Sequence, residues 1–440
     1  MKPPEQPFRQ FTKRVWRNKR PCPRIGGRTG KKAAGVIDRR TILVNGGALA
    51  LSAPAFGQSS PATLHRRLLT LDTHLDAPSN FGRIGWSIID RHGGAVDSTQ
   101  LDYPRMVQGG LDGGFFAIYT PQGPETQEGF LAMRDAGFQR AIEIQQMVAA
   151  NPDRFEFATT PQDAARIAAS GKRIVYQSIE NSSILGLDVS LLRVFYRLGV
   201  RMAGPIHFRN NQFGDSATDA PRAKGLSPLG REFVALCNDL GIVVDQSHAS
   251  DDVFDQMIEL SRAPIICSHS GCRAVFNHPR NLDDARIRKL AAADSTIQIN
   301  SYNEYLVAVP PNPERQKAVA AARAAARPAD GASARDVATG MRRQAAAMKK
   351  IDAKFPIPRA SFEDFMAHVT HALDLVGPDH VGVGPDWDGG GGVTGMEDVS
   401  ALPRVTERLL KLGYSEAQLG QFWSGNVLRV LGAAQKARKA

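Results

Sequence analysis

Cysteine is scarce in this chain, four in 440 residues. One lies in a basic leader, and Cys237, Cys267 and Cys272 remain beyond it. Three thiols without regular spacing exclude a disulfide scaffold and are expected to be buried and free. Long apolar runs are also missing, so no segment is a candidate membrane span. A basic body is missing too. The formal charge is +11, but residues 1–57 hold thirteen Lys/Arg against two Asp/Glu, and the remainder holds 42 of each. The excess belongs to the leader, which excludes a nucleic-acid-binding body. The glycines of 389–392 lack the Lys and helix context of a phosphate loop.

What is present starts with that leader. Asp38-Arg39-Arg40-Thr41-Ile42-Leu43 holds a twin arginine, 44–51 is uncharged and mostly apolar, and Ala53-Pro54-Ala55 is a small-x-small cleavage pattern. The order resembles a twin-arginine export signal over 38–57, preceded by a disordered basic leader over 1–37. It implies a periplasmic or otherwise exported protein. No Cys stands at the cleavage pattern, so no lipid anchor is expected.

Over 62–435, short β-like runs alternate with helical stretches. Strands are expected at 68–71, 114–119, 173–180, 199–203, 241–245, 264–269, 296–300 and 380–384. Helices are expected between them, among them 128–150, 161–169, 227–240, 251–260 and 362–376. Repeated β–α alternation implies a parallel sheet, and about eight units imply a (β/α)8 TIM-like barrel. In that fold, chemistry sits at the C-terminal ends of the strands. His74, Asp76, Glu180, His207, His248, His269 and Asp386 all fall at or just past expected strand ends. His74 and Asp76 are two apart, the spacing that shares a strand face. Residues 308–358, rich in Ala, Arg and Pro, break the rhythm and read as a helical insertion: a lid, an interface element or a solvated excursion.

These residue types suit a two-metal site. Zinc accepts imidazole nitrogen and carboxylate oxygen, and a Glu can bridge two ions with its two oxygens. A water between the ions becomes hydroxide near neutral pH and can attack a carbonyl. Asp386 can carry the proton to a leaving amine. His368 and His371, three apart inside an amphipathic helix, read as structural. Asp386 and Asp388 share a Gly-rich loop, and one of them is expected to hold the turn.

Several motifs stand in order: His74-Leu75-Asp76, Ser178-Ile179-Glu180, His207-Phe208-Arg209-Asn210-Asn211, Gly225-Leu226-Ser227-Pro228-Leu229-Gly230, Val244-Asp245-Gln246-Ser247-His248, Ser268-His269-Ser270, His278-Pro279-Arg280-Asn281, Gly382-Val383-Gly384-Pro385-Asp386-Trp387-Asp388-Gly389 and Ser424-Gly425-Asn426-Val427-Leu428-Arg429. Together they resemble the renal (membrane) dipeptidase family, zinc dipeptidases of the amidohydrolase-like barrel group. The resemblance implies two Zn2+ per chain, one on His74 and Asp76, the other on His248 and His269, with Glu180 bridging. It implies that His207 contacts the scissile carbonyl, that Arg280 pairs with the substrate's terminal carboxylate, and that Asp386 transfers the proton. The alternative for Arg280 is a surface ion pair with Asp283 or Asp284. Dipeptides are the implied partners, and a homodimer is implied by resemblance alone. Asn181 after Glu180, where many members have Gly, and Pro385 before Asp386, where Ser is common, depart from the pattern. An N-acyl amino acid deacylase with the same metals and Arg280, a one-metal site, and a non-catalytic binding protein are the alternative readings.

Overall fold

Residues 60–93, 99–326 and 334–439 are described by a computed structural model of the chain. The leader and the export-type segment of 1–57 lie outside the described residues. Among the described residues there are ten strands: β1 Leu71–Leu75, β2 Gly113–Tyr119, β3 Phe155–Phe157, β4 Arg173–Glu180, β5 Val200–Ala203, β6 Val243–Val244, β7 Ile266–Cys272, β8 Asn281–Leu282, β9 Thr296–Ile299 and β10 Val381–Val383. All strand pairings are parallel. One sheet runs β1-β2-β4-β5-β6 and a second runs β10-β9-β7.

Two seams join these sheets into a ring. Asp245, just past β6, bridges to Ile266 of β7, and the Gln246 N–H donates to the Ile266 carbonyl at 2.8 Å. Leu75 of β1 bridges to Trp387, past β10, and the Asp76 N–H donates to the Trp387 carbonyl at 3.0 Å. The result is the eight-stranded parallel barrel with surrounding helices. β3 pairs with the start of β4, and β8 with the end of β7, outside the ring. These two- and three-residue strands are too short to show a pattern in sequence.

Strand alternation separates two cores. On β4, Ile174 and Tyr176 pack with Leu71, Phe115, Met202, Val243 and Ile266 inside the barrel, whereas Val175 and Ile179 join the larger cluster beneath the helices. Val427, Val430, Leu431 and Ala434 of the C-terminal helix Asn426–Lys436 belong to the inner cluster and fill the N-terminal end of the barrel. Continuing the alternation, Ser178 and Glu180 face inward at the other end. That end carries the site.

The helices begin and end on local signals. Ser227 caps Pro228–Leu240 by accepting from the Gly230 N–H at 3.1 Å, and Gly241 ends it at φ 75°, a left-handed conformation glycine adopts without strain. Ser361 and Asp364 form a capping box at Phe362–Val376. Within the insertion, the helices Pro313–Ala326 and Ala334–Lys354 are tied by an Arg315–Asp352 ion pair of 2.7 Å. Cys237, Cys267 and Cys272 are buried and free.

One strand differs from expectation. Sequence periodicity places it at 68–71, but β1 is Leu71–Leu75, so His74 lies inside the strand rather than beyond it. Asp72, Thr73 and His74 are polar yet buried, so no apolar alternation marks them. Thr73 shows why: its hydroxyl donates to the Ser268 carbonyl at 2.6 Å, tying β1 to β7 across the ring. We expect Thr73→Val to cost about 1–3 kcal/mol by leaving that carbonyl unpaired, measured by urea unfolding.

Candidate metal centre

Glu180, the last residue of β4, is the hub. His248 Nε2 lies 3.1 Å and His269 Nε2 3.4 Å from its Oε1, and His207 Nε2 lies 3.7 Å from the same oxygen. His74 Nε2 lies 3.6 Å from its Oε2, 3.3 Å from Asp76 Oδ2 and 3.9 Å from Asp386 Oδ1. The structure thus brings together all seven strand-end residues singled out in the sequence, and all are buried. Their donor atoms form three overlapping groups able to hold a metal: His74, Glu180 and His269; Glu180, His207 and His248; His74, Asp76 and Asp386. By distance alone His207 and Asp386 are as eligible to ligate as the five residues assigned to metal.

Two strand irregularities aim the histidines. The β1–β2 register shifts between Asp72 and Leu75, around His74, and the β7–β9 register shifts between Cys267 and Ser270, around His269. With regular alternation, His269 would follow Cys267 toward the helices and Leu75 would follow Thr73 inward. The bulges turn both imidazoles into the barrel mouth, a device common beside active sites. The two-apart rule did not foresee this, since the irregularity is set by the paired strand.

Backbone strain is concentrated here. Asn181, His248, Asp386 and Asp388 have φ of 66°, 72°, 71° and 68°, four of the six left-handed non-glycine residues described. The Asn181 departure is thereby explained: Asn tolerates this region better than most residues, and its Nδ2 donates to the Thr120 carbonyl at 3.1 Å. Pro385 keeps a purely backbone role, its carbonyl accepting the Ser301 hydroxyl at 2.6 Å. Asp388 holds the turn, its Oδ1 accepting the Gln100 N–H at 2.5 Å. Gly389 is needed for close approach, since a Cβ there would lie 2.1 Å from both Asp386 Oδ1 and Asp76 Oδ2.

The donor set fits a cation. His74 Nε2 and Asp76 Oδ1 are buried with no hydrogen-bond partner. Burial holds the His248 and His269 imidazoles well below their usual range, so both are neutral and ready to donate lone pairs. Burial opposes ionisation of Glu180, but the surrounding imidazoles, His74 and His207 foremost, prevail and hold it well below the carboxylate range. Burial, reinforced by Asp76 and Glu180, pushes Asp386 well above that range. So many buried acceptors converging without a cation would be costly.

The family profile described as membrane dipeptidase (Peptidase family M19) matches residues 59–440. The chain belongs to this family and is a metallo-dipeptidase. It is 32% identical over 339 residues to the dipeptidase tcpJ of Claviceps purpurea, covering 75% of this chain and 68% of that one. Among solved structures, the probable dipeptidase PvdM from Pseudomonas aeruginosa superposes with TM-score 0.72 at 30% identity, covering 86% of this chain and 98% of that one. A metallo peptidase from Rhodobacter sphaeroides, liganded with a phosphinate mimic of the dipeptide L-Ala-D-Ala, gives TM-score 0.62 at 26% identity, covering 83% and 99%.

In this dipeptidase Arg280 is not a surface ion pair. It is 3% exposed, and its Nη2 donates to the His269 carbonyl at 3.0 Å while its guanidinium lies 5.2 Å from the Tyr305 ring centre. Asp283 pairs with Arg286 and Asp284 with His371. His368 is structural, its Nδ1 accepting the Cys272 N–H at 2.9 Å.

Sequence reasoning missed the supports behind the ligands. Asp245 Oδ2 accepts the Ser268 hydroxyl at 2.5 Å, which leaves Ser268 Oγ to accept the Nδ1–H of His269 at 2.9 Å. This relay fixes the tautomer with Nε2 bare toward Glu180. The signal was present, since Asp245 sits in the His248 motif, but its partner is 23 residues away. Asp72 was missed too: it accepts the His74 N–H at 2.9 Å, and burial pushes its carboxyl up to about 8.

We expect Gly389→Ala to lower metal content sharply in folded protein, measured by elemental analysis with circular dichroism. A pH dependence follows from His74. Burial alone would lower its pKa, but Glu180 and Asp76 raise it well above the usual value, so the metal-free chain holds a proton there. A metal must displace that proton, so apparent affinity should fall as pH drops and recover as pH rises through the raised pKa. Calorimetry at about pH 6 and about pH 8, in buffers of different ionisation enthalpy, should show proton release.

Proposed function

We propose that this chain is a binuclear zinc dipeptidase acting on dipeptides with a free C-terminal carboxylate. The observation that carries the reading is Glu180, with four imidazole Nε2 atoms distributed over its two oxygens. His74 and Asp76 would hold one zinc, His248 and His269 the other, and Glu180 both. Bound zinc supplies a Lewis acid for the scissile carbonyl and water activated near neutral pH.

The remaining residues act on the dipeptide. Arg280 offers a buried guanidinium that pairs with no carboxylate among the described residues, and its Nε is buried without a partner. A two-pronged planar donor suits the terminal carboxylate of a substrate. Burial holds His207 below its usual range, so it meets the scissile carbonyl as a neutral imidazole able to donate one N–H. Asp386 keeps a proton at a carboxyl whose Oδ1 stands beside His74, and this group carries one to the leaving amine. Phe208 packs on His207 and His248 at ring distances of 4.1 and 5.1 Å and shields that side from water. The Rhodobacter relative's inhibitor, a mimic of L-Ala-D-Ala, supports including D-terminal dipeptides as substrates.

Export through the segment 38–57 is part of this proposal, and signal-dependent transfer of a fused reporter tests it. For the chemistry, zinc content and dipeptide turnover are measured on wild type and Glu180→Ala. Two zinc per chain with turnover are expected in wild type, and a loss of at least about 100-fold in the variant. Well-folded, zinc-supplied protein without hydrolysis would overturn the reading, and turnover of N-acyl amino acids alone would convert it to a deacylase. Arg280→Met is expected to raise KM by about 10- to 100-fold, the worth of one charged hydrogen-bonded contact.

A further inference from the structure

A second concentration of charge lies at the other end of the barrel. A cavity of about 450 Å³ is lined by Thr159, Thr160, Tyr196, Arg201, Gln435 and Arg438. Thr159 and Thr160 follow β3, which pairs with the start of β4. Arg201 is the second residue of β5. Gln435 lies in the C-terminal helix that fills the N-terminal end of the barrel, and Arg438 lies just past that helix. The cavity is therefore at the end away from Glu180, and the dipeptidase chemistry makes no use of it.

Arg201 is 9% exposed and faces no matching acid. Its Nε donates to the Thr159 carbonyl at 2.9 Å, and its Nη1 donates to the Tyr196 and Val200 carbonyls at 3.0 and 2.8 Å. Carbonyls satisfy hydrogen bonds without neutralising the charge. Its Nη2 has no partner among the described residues. The guanidinium lies 4.2 Å from the Tyr196 ring centre, and Arg438 Nη1 donates to the hydroxyl of that same tyrosine at 3.0 Å. One tyrosine thus holds two cations at the cavity, and neither makes an ion pair among the described residues. The Thr159 hydroxyl has no hydrogen-bond partner among them either. No carboxylate of the described residues lines the cavity. Asp163 is the acid that acts on Arg201, and it is committed elsewhere. Its Oδ2 accepts the Thr159 and Thr160 N–H groups at 3.0 and 2.9 Å, and its Oδ1 lies 3.0 Å from Arg166 Nη2. Stapling of backbone carbonyls accounts for Nε and Nη1 of Arg201. It does not account for the open Nη2 or for a second guanidinium beside it.

We propose that this cavity binds a small molecule bearing a phosphate group. Two guanidinium groups and the Thr159 and Tyr196 hydroxyls are donors that suit a dianionic oxyanion, and a planar guanidinium meets two of its oxygens at once. The volume falls in the range of small-molecule sites and leaves room for an organic group beyond the phosphate. An occupant would tie β5 and the segment after β3 to the C-terminal helix, which seals the inner core. Binding therefore stabilises the fold by mass action, independently of the metal centre and of the dipeptidase activity.

Inorganic phosphate and glycerol 3-phosphate are the probes. Each is titrated into zinc-loaded wild type freed of excess zinc, and into Arg438→Glu and Glu180→Ala, with sodium chloride at matched ionic strength as the blank. Thermal unfolding and calorimetry are the readouts. In wild type, either probe is expected to raise Tm above the chloride blank. Arg438→Glu, at an exposed position, is expected to keep dipeptide turnover and to bind at least about tenfold more weakly, the worth of one charged hydrogen bond. Glu180→Ala, which disrupts the metal centre, is expected to bind as wild type does. Tighter binding of glycerol 3-phosphate supports the inference and identifies a phosphomonoester as the ligand, and equal binding supports it with free phosphate as the ligand. No rise in wild type beyond chloride would overturn the inference. So would a response unchanged in Arg438→Glu, and one lost in Glu180→Ala but kept in Arg438→Glu would assign the phosphate to the metal centre instead.

Discussion

Glu180 keeps a carboxylate charge 7% exposed, with four imidazole nitrogens within 3.7 Å of its oxygens. Burial leaves it little solvation, and two of the four imidazoles, His248 and His269, are held neutral by burial. Proton sharing with His74 satisfies part of the charge, while Asp76 and Asp386 add more acid on the same side. Such a cluster is stable only with a cation or with protons in its place. The fit of the site to a metal and the expected rise of its affinity with pH therefore have one cause.

Around that cluster the barrel departs from regularity. Ordinary parallel strands alternate, and alternation would turn His269 outward. Bulges at β1 and β7 correct this, and left-handed backbone at Asn181, His248 and Asp386 places the remaining groups. Glycine at 389 admits two carboxylates that a single methyl would exclude. Strain of this kind, of order 1–3 kcal/mol per residue, persists only where surrounding packing over-determines it. Here the inner core sealed by the C-terminal helix and the ring-closing seams provide that support.

Charge is distributed in a comparable division of labour. The candidate ligand cluster is acidic and deep, Arg280 is a buried guanidinium beside His269, and the cationic excess beyond residue 57 is carried by the insertion on the same face.

The local sequence determined much of this protein. Apolar runs, Ser and Thr caps, terminal glycines and helical periodicity mark the β–α alternation, and helices at Pro161–Ala169, Asp251–Leu260 and Phe362–Val376 fall where periodicity puts them. These are short-range signals, each readable in a window of a few residues. The strand-end positions of Glu180, His248 and Asp386 follow from the same alternation. Tertiary structure decided what no window contains. β1 was misplaced because its polar residues are buried by partners such as Ser268, 195 residues away. The inward turn of His74 and His269 depends on the register of a neighbouring strand. The Asp245–Ser268–His269 relay joins two strand ends, and the burial of Arg280 removes it from Asp283 and Asp284, which adjacency in sequence had offered as partners. Contacts across the ring are set by closure of the barrel, and closure is a property of all eight strands together.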